Sequence, residues 1–188
     1  MKVIKGTLKF NGIYRAEVLD NNDPSKLGRI KVNVFGSFDG IEASSLPWAV
    51  PAMPIFTGSG DGFGFFSIPE VSSHVWCFFE AGDINQPVYF AEAPSGVYGL
   101  PEERDTDYPC TKVIKTKNGI TITIDDKFGN EEIKITHPAG SVLTIDKSGK
   151  ISIQGDDEIE INQSAGANIT MDSSGNVTIQ GNTVNINP

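Results

Sequence analysis

The sequence is poor in cysteine, in basic residues and in long apolar runs, and each shortage excludes a class of protein. The two cysteines, Cys77 and Cys110, are too few for a disulfide framework. No stretch approaches the ~18 consecutive apolar residues of a membrane-spanning helix, and the opening MKVIKGTLKF shows no signal-peptide pattern. Lys and Arg total 15 against 24 Asp and Glu, and this net charge of -9 argues against a general nucleic-acid binder.

Aromatic residues are scarce in the second half of the chain. Of the 11 Phe, 4 Tyr and 2 Trp, only Tyr108 and Phe128 lie beyond residue 100. The region between the halves is rich in Gly, Pro and charge and has no apolar periodicity. The shift in composition predicts two domains with different cores, at residues 1–98 and 119–188, joined by a linker at 99–118.

The first half contains short apolar segments separated by Gly and Pro, with no sustained helical period. The candidate strands are Ile13–Leu19, Arg29–Phe35, Trp48–Val50, Gly64–Ile68, His74–Phe79 and Pro87–Ala91. Short strands in an aromatic-rich stretch of this length favour a small barrel of the OB type. The stretch GSGDGFG, at 58–64, precedes no helical pattern, so it is interpreted as a barrel loop rather than a phosphate-binding loop.

The second half shows a regular repeat of apolar pairs two residues apart. The pairs are Ile122/Ile124, Ile133/Ile135, Leu143/Ile145, Ile151/Ile153, Ile159/Ile161, Ile169/Met171, Val177/Ile179 and Val184/Ile186. Gly, Asp, Asn and Ser separate them, and LTIDKSGKISIQG at 143–155 aligns with ITMDSSGNVTIQG at 169–181. Such a repeat predicts an array of short strands joined by tight turns.

The core available to these strands is thin. Each strand offers about two inward side chains, so a single sheet of them would be marginally stable. Three chains wrapped into a triangular prism would share a narrow axial core and remove most exposed sheet edges. The many β-branched Ile and Val residues suit that pleated geometry. A monomeric β-sandwich, which has strands at a similar spacing, is the alternative.

Two segments of the first half resemble the OB-fold domain of phage baseplate central-spike proteins. They are DPSKLGRIKVNVFG, at 23–36, and LPWAVPAMP, at 46–54. This cell-puncturing family includes the lysozyme-bearing protein of T-even phages, the short spikes of Mu-like and related phages, and the VgrG spike of type VI secretion. The resemblance continues through 63–96, where the turn VSSH departs from the family's usual Val-Gly-Asp/Glu. The matching positions are Asp23, Pro24, Leu27, Gly28, Arg29, Pro47, Trp48, Ile68, Pro69, Phe79, Glu80, Gly82, Asp83 and Pro87.

The second half is similar to the start of the triple-stranded β-helix of the same family. There an Asp-Asp, Gly and Glu run leads to a His-Pro-x-Gly turn and a later Ser-Gly. The matching positions are Asp125, Asp126, Gly129, Glu131, His137, Pro138, Gly140, Ser148 and Gly149. The resemblance covers about residues 13–188, in two blocks that follow the family's order.

The resemblance implies an all-β homotrimer, with an N-terminal OB-fold barrel followed by an intertwined triple-stranded β-helix. Such a protein is a structural spike that sheath contraction drives through the target cell envelope. The implied location is a virion tail baseplate or an equivalent extracellular contractile particle, after synthesis in the bacterial cytoplasm. The chain lacks VgrG's large hub domain, so a separate baseplate hub protein is the expected partner of the barrel.

No catalytic site, cofactor or metal is predicted. The carboxylate pairs at 125–126, 131–132 and 156–160 lie at turns or outward strand positions, so solvated faces explain them better than glycosidase chemistry. The T-even protein's lysozyme domain has no counterpart in the short segment between the halves. No histidine follows His137, so the iron that some family spikes hold at a His-x-His tip is not expected.

The two ends of the chain suggest partners. Val184, Ile186 and Pro188 could present an apolar platform for a tip protein of the PAAR type. Basic residues near the N-terminal strands favour docking on the hub over binding of single-stranded nucleic acid or sugar, which OB barrels can also do. The competing function is a ligand- or receptor-binding OB module on a β-fibre stalk.

Overall fold

The structure is a computed structural model that describes residues 9–55, 58, 60–96 and 99–185. Regular structure in these residues comprises β-strands and short 3-10 turns, which confirms the all-β prediction. The strands are β1 (Tyr14–Asp20), β2 (Lys31–Val34), β3 (Val50–Pro51), β4 (His74–Phe79), β5 (Pro87–Glu92), β6 (Thr111–Lys115), β7 (Thr121–Asp125), β8 (Glu132–Thr136), β9 (Val142–Ile145), β10 (Ile151–Gln154), β11 (Ile159–Asn162), β12 (Asn168–Met171) and β13 (Val177–Gln180). The 3-10 turns are Ala43–Ser45, Glu80–Gly82 and Glu102–Asp105. The chain divides into two compact units, Met1–Gly99 and Leu100–Pro188.

The first unit is OB-like. Its five strands form one sheet in the order β2-β1-β4-β5-β3, antiparallel except for the parallel pair β3 and β5. β1, β2 and β4 each alternate between buried and half-buried residues, as period-2 patterning requires of a sheet with one covered face. The predicted strand at Gly64–Ile68 is wrong, because the glycine-rich segment before it forms a loop and offers few side chains to pack.

An aromatic cluster completes the core of the first unit. The Phe79 ring lies at the centre, with the Phe10 and Tyr14 rings each 5.5 Å from it and the Phe38 ring 5.8 Å away. The Tyr14 and Phe38 rings meet it edge-on, the arrangement that the aromatic quadrupole favours. Aliphatic side chains of β1, β2 and β4 fill the rest; they are Ala16, Val18, Val32, Val34 and Val75.

The second unit consists of two antiparallel meanders. A five-stranded sheet has the order β10-β9-β8-β7-β6, and a three-stranded sheet has the order β11-β12-β13. The segment predicted as a linker differs from the structure, because it contains the turn Glu102–Asp105 and all of β6. β6 pairs with β7 along its length, from Thr111 opposite Asp125 to Lys115 opposite Thr121. The sheet therefore begins at Thr111. The sequence did not predict β6 because Lys112 occupies a position at which the other strands have an apolar residue.

The packing of Phe79 predicts a large loss of stability when its ring is removed. The Phe79→Ala substitution should lower the free energy of unfolding of the first unit by about 3–5 kcal/mol, because it opens a cavity among three rings. Trp fluorescence during urea unfolding measures this unit specifically, since both tryptophans, Trp48 and Trp76, lie in it. Phe63→Ala, at a ring that is 58% exposed, is the matched control. Equal effects of the two substitutions would contradict the assigned core.

Candidate interaction surfaces

The turn before β2 is built around the buried carboxylate of Asp23, which is 2% exposed. Its Oδ1 accepts hydrogen bonds from the Ser25 N–H (3.0 Å) and from Nη2 of Arg29 (2.6 Å). Its Oδ2 accepts from the Leu27 N–H (2.8 Å) and from Nε of Arg29 (3.0 Å). The Arg29 guanidinium, helped by the backbone donors and opposed by burial, holds the pKa of the Asp23 carboxyl far below its usual range. The resemblance positions in this turn are therefore determinants of the fold.

Three cations of the first unit are engaged by neighbouring groups. The Arg29 guanidinium lies 5.5 Å and the Lys31 ammonium 5.1 Å from the centre of the Trp48 ring. Arg15 lies 4.9 Å from the Trp76 ring and donates from Nη1 to the Ala93 carbonyl at 2.7 Å. Cation–π contacts of this length stabilise the fold and leave less of each charge for phosphates. This arrangement gives no support to nucleic-acid binding at these three residues.

The remaining resemblance positions of the first unit lie at bends of the chain. The Pro69 carbonyl accepts from Nδ2 of Asn21 at 3.0 Å, and Asp83 Oδ1 accepts from the Asn85 N–H at 3.0 Å. Gly82 has a φ of 77°, and a Cβ there would lie 2.7 Å from Oδ1 of Asn11. A side chain is thus excluded at Gly82 both by backbone conformation and by space. Pro24 and Gly28 lie in the Asp23 turn, and Pro47 follows the 3-10 turn Ala43–Ser45. The Gly28 carbonyl accepts from the Tyr89 hydroxyl at 2.6 Å.

His137, Pro138 and Gly140 form the hairpin turn between β8 and β9. The Ala139 N–H donates to Nδ1 of His137 at 3.2 Å, and Gly140 has a φ of 103°. No group of three or more His, Cys, Asp or Glu side chains in the described part of the chain is arranged to hold a metal ion. The contacts of His137 are those of a turn residue.

One face of the second unit's sheets is apolar, and it is called the apolar face here. Cross-strand pairing aligns its side chains in two rows, each one residue wide. In the five-stranded sheet they are Ile114, Ile122, Ile124, Ile133, Ile135, Leu143, Ile145, Ile151 and Ile153. In the three-stranded sheet they are Ile159, Ile161, Ile169, Met171, Val177 and Ile179. Ten of these fifteen side chains are exposed, with exposed fractions from 40% at Met171 to 69% at Ile114, and the other five are half-buried.

The opposite face of the five-stranded sheet is polar and is the better covered of the two. Thr121 is buried, and Thr123, Lys134 and Thr136 are half-buried. These residues border a cavity of about 210 Å³ that the segment around Glu103 also lines. Glu103 Oε1 accepts from Nζ of Lys115 at 2.6 Å, which holds the 3-10 turn to β6 and lowers the pKa of the Glu103 carboxyl. The usual arrangement of a single-sided sheet is reversed here, because the polar face is covered and the apolar face is open.

A second apolar surface lies in the first unit, formed by the segment between β3 and β4 together with Leu27 of the turn before β2, and is called the aromatic loop surface. Its most exposed members are Leu27, Ile55, Phe63, Phe65 and Phe66, and Ile55 is 95% exposed. The GSGDGFG loop is predicted by the sequence, whereas this surface is not. The alternation of Gly with Phe was the available signal, since glycines that leave a loop without local packing expose the aromatic rings between them.

The predicted tip lies only partly within the described residues. Val184 is 47% exposed and lies beyond the last strand, whereas Ile186 and Pro188 lie outside the described residues.

Cys77 and Cys110 are both free, and burial raises the pKa of the Cys77 thiol to about 12. In the described residues, no helix has the length and apolar character needed to cross a membrane.

Residues 14–92 match the family described as the type VI secretion system/phage-baseplate injector OB domain. The matched range spans all five strands of the first unit, from β1 to β5. No curated protein sequence matches the chain. The match supports a relation to baseplate spike proteins, which are a structural family. It also suggests that the chain is a component of a baseplate or tail particle.

The Asp23 network predicts an acid-dependent stability of the first unit. Asp23→Asn should lower the urea midpoint of the Trp fluorescence transition at pH 7, because Arg29 loses its charged partner. The lowered pKa means that the carboxylate stabilises the fold fully above the ordinary Asp value of about 3.9. The difference between wild type and Asp23→Asn should thus be constant above about pH 4 and shrink as the pH falls further. Asp61→Asn, at an exposed loop residue, is the control; a difference that grows in acid would contradict the assignment.

Proposed function

We propose that the protein is the central spike of a contractile injection machine and that it pierces the target cell envelope mechanically. Three copies associate through their apolar faces into an intertwined triple-stranded β-helix, a triangular prism with a narrow axial core. The observation that carries this proposal is the reversed sheet of the second unit, whose apolar face is largely exposed among the described residues. The injector OB match of the first unit supplies the biological context.

The energetics favour association over exposure. Burying one Ile side chain fully is worth about 1.5–3 kcal/mol, and many partly exposed apolar side chains line this face in each copy. Two sheets packed face to face would cover their apolar faces but leave their strand edges open. Three sheets around an axis cover the apolar faces and also bring strand edges together. A closed trimer therefore both buries the apolar faces and protects the edges.

The proposed mechanism needs no catalytic group. A prism whose copies share one core and many main-chain hydrogen bonds cannot unfold one chain at a time, which gives it resistance to axial load. The acidic surface suits an exposed shaft, since residues 119–188 contain ten acidic and four basic side chains. The proposed partners are a baseplate hub protein at the barrel and a PAAR-type tip protein at Val184, Ile186 and Pro188.

The oligomeric state is the first test. Light scattering after size exclusion should give about 60 kDa, three times the chain mass of 20.2 kDa, independent of salt because the shared core is apolar. The trimer should also resist dissociation by SDS at room temperature. A mass of one chain, with the second unit still folded, would end the spike proposal and leave the receptor-binding module on a β stalk as the better one.

Two neighbouring residues of β9 separate the apolar face from the polar face. Ile145→Asn should weaken the trimer by about 1 kcal/mol or more for each copy, because Ile145 is half-buried in the single chain and the trimer would bury the rest of its side chain. Thr144→Asn, at the next residue on the opposite face, should leave the trimer mass unchanged. The fraction of trimer against protein concentration, measured by analytical ultracentrifugation, compares the two. A greater loss from Thr144→Asn would mean that the wrong face has been assigned to the interface.

The proposed location in a baseplate can be tested on purified particles. Mass spectrometry of purified baseplates from the source particle should find this chain at three copies per baseplate, with the hub protein. Particles that lack the chain should lose target killing or infection, and the wild-type chain should restore it. Recovery of the chain only from distal fibre fractions would favour the receptor-binding alternative.

A further inference from the structure

Residues 100–110 form a separate segment on the polar face of the five-stranded sheet, and this segment is called the strap here. It includes the 3-10 turn Glu102–Asp105 and ends where β6 begins. All of its residues lie within the described part of the chain, and none of them is buried. Its two large apolar side chains are turned to solvent, since Leu100 is 48% and Tyr108 is 77% exposed. Apolar packing therefore contributes little to holding the strap in place.

The backbone hydrogen bonds of the strap are local, because they join residues three apart within it. They run from the N–H of Arg104 to the Pro101 carbonyl, from that of Thr106 to Glu103 and from that of Cys110 to Asp107, over 2.6–3.3 Å. A single short turn has no stability of its own in water. The conformation of the strap therefore depends on side-chain contacts with the sheet.

Two ion pairs supply those contacts. Glu103 Oε1 lies 2.6 Å from Nζ of Lys115 on β6, and Asp107 Oδ1 accepts from Nζ of Lys127 in the loop after β7. Asp107 Oδ2 also accepts from Nδ2 of Asn130 at 3.5 Å. The Lys115 and Lys127 side chains are 35% and 50% exposed. Ion pairs that are this open to solvent are weak and are screened by salt.

Further contacts lie at the end of the strap that adjoins β6. Lys112 Nζ donates to the Cys110 carbonyl at 2.7 Å, and the Asp107 N–H donates to Oγ1 of Thr111 at 3.1 Å. Because Lys112 and Thr111 belong to β6 itself, these contacts place a hinge at the junction of the strap and the strand.

A polar cavity separates the strap from the sheet. The cavity of about 210 Å³ is lined by Glu103 and Thr106 on the strap and by Thr123, Lys134 and Thr136 on the sheet, among others. Glu103 Oε2 is buried and has no hydrogen-bond partner among the described residues. A polar cavity of this size has room for several waters. Water can therefore enter beneath the strap without exposing a packed apolar core.

We propose that the strap is a releasable connection between the two units, which detaches from the polar face as one segment while β6 to β10 stay paired. Segments with few apolar contacts and exposed hydrogen bonds are those that open locally. The strap directly follows the first unit along the chain, so its release adds slack between the units, at most ~3.3–3.6 Å for each freed residue. The inference does not depend on the proposed trimer. In a spike under load, the strap would yield before the paired strands do.

Amide hydrogen exchange of the full-length chain, read by mass spectrometry, tests the release. Raising the salt from about 0.01 M to about 1 M shortens the Debye length from ~30 Å to ~3 Å and so weakens the two ion pairs. The amides of Arg104, Thr106 and Cys110 should then exchange faster, whereas those of β7, which is paired on both sides, should not change. Exchange of the strap that ignores salt, or an equal acceleration in β7, would overturn the proposal.

Removing the two cations should have the same effect as salt. In the Lys115→Gln and Lys127→Gln double variant, the strap amides should exchange about two- to thirtyfold faster at low salt, the range expected for the loss of two partly exposed ion pairs. Added salt should then have little further effect. Lys147→Gln with Lys150→Gln removes the same charge from the exposed turn between β9 and β10 and should behave as wild type. The proposal fails if the two double variants exchange alike.

Reversing one ion pair separates the pairing from the identity of the side chains. Lys115→Glu alone should release the strap, because it sets a second carboxylate against Glu103. Glu103→Lys added to the same chain should restore slow exchange at low salt. A double variant that stays as fast as Lys115→Glu would contradict the role of this ion pair.

Light scattering of the same samples distinguishes this inference from the proposed function. A wild-type monomer with a salt-sensitive strap would reject the trimer and keep the releasable connection. A trimer whose strap exchanges independently of salt and of both substitutions would reject the connection and leave the spike standing.

Discussion

An apolar sheet face that is largely exposed among the described residues is the constraint on which the second unit depends. The turn Glu102–Asp105 and the ion pair of Glu103 with Lys115 cover the polar face instead. The hydrophobic effect acts on the remaining face in proportion to its area, so association is the available route to burial. The proposed prism and its resistance to load are consequences of this one asymmetry.

The first unit is stabilised by a different principle. Its aromatic and aliphatic core is closed within one chain, and the buried Asp23 carboxylate fixes the turn that leads into β2. The first unit therefore has a core of its own. The aromatic loop surface is an exposed part of this unit.

Local patterns predicted much of the architecture. The apolar pairs from Ile122/Ile124 to Val177/Ile179 each correspond to a strand, because a period of two with turn residues between is a local signal. The strand β6 escaped prediction since Lys112 occupies a position of the apolar row, and the supposed strand at Gly64–Ile68 is a loop. In both segments the structure depends on contacts that the local sequence does not show. β6 forms because it pairs with β7, and the glycine-rich segment forms no strand because it has few side chains to pack.

The sequence by itself determined most of the strand positions, the OB-like character of the first unit and the hairpin glycines, because each depends on residues close together in the chain. Only the tertiary structure decided which face of the five-stranded sheet is open, and that Arg15, Arg29 and Lys31 lie against Trp48 and Trp76. These features depend on contacts between residues that are far apart in the chain, and no local pattern reveals such contacts before the chain is folded.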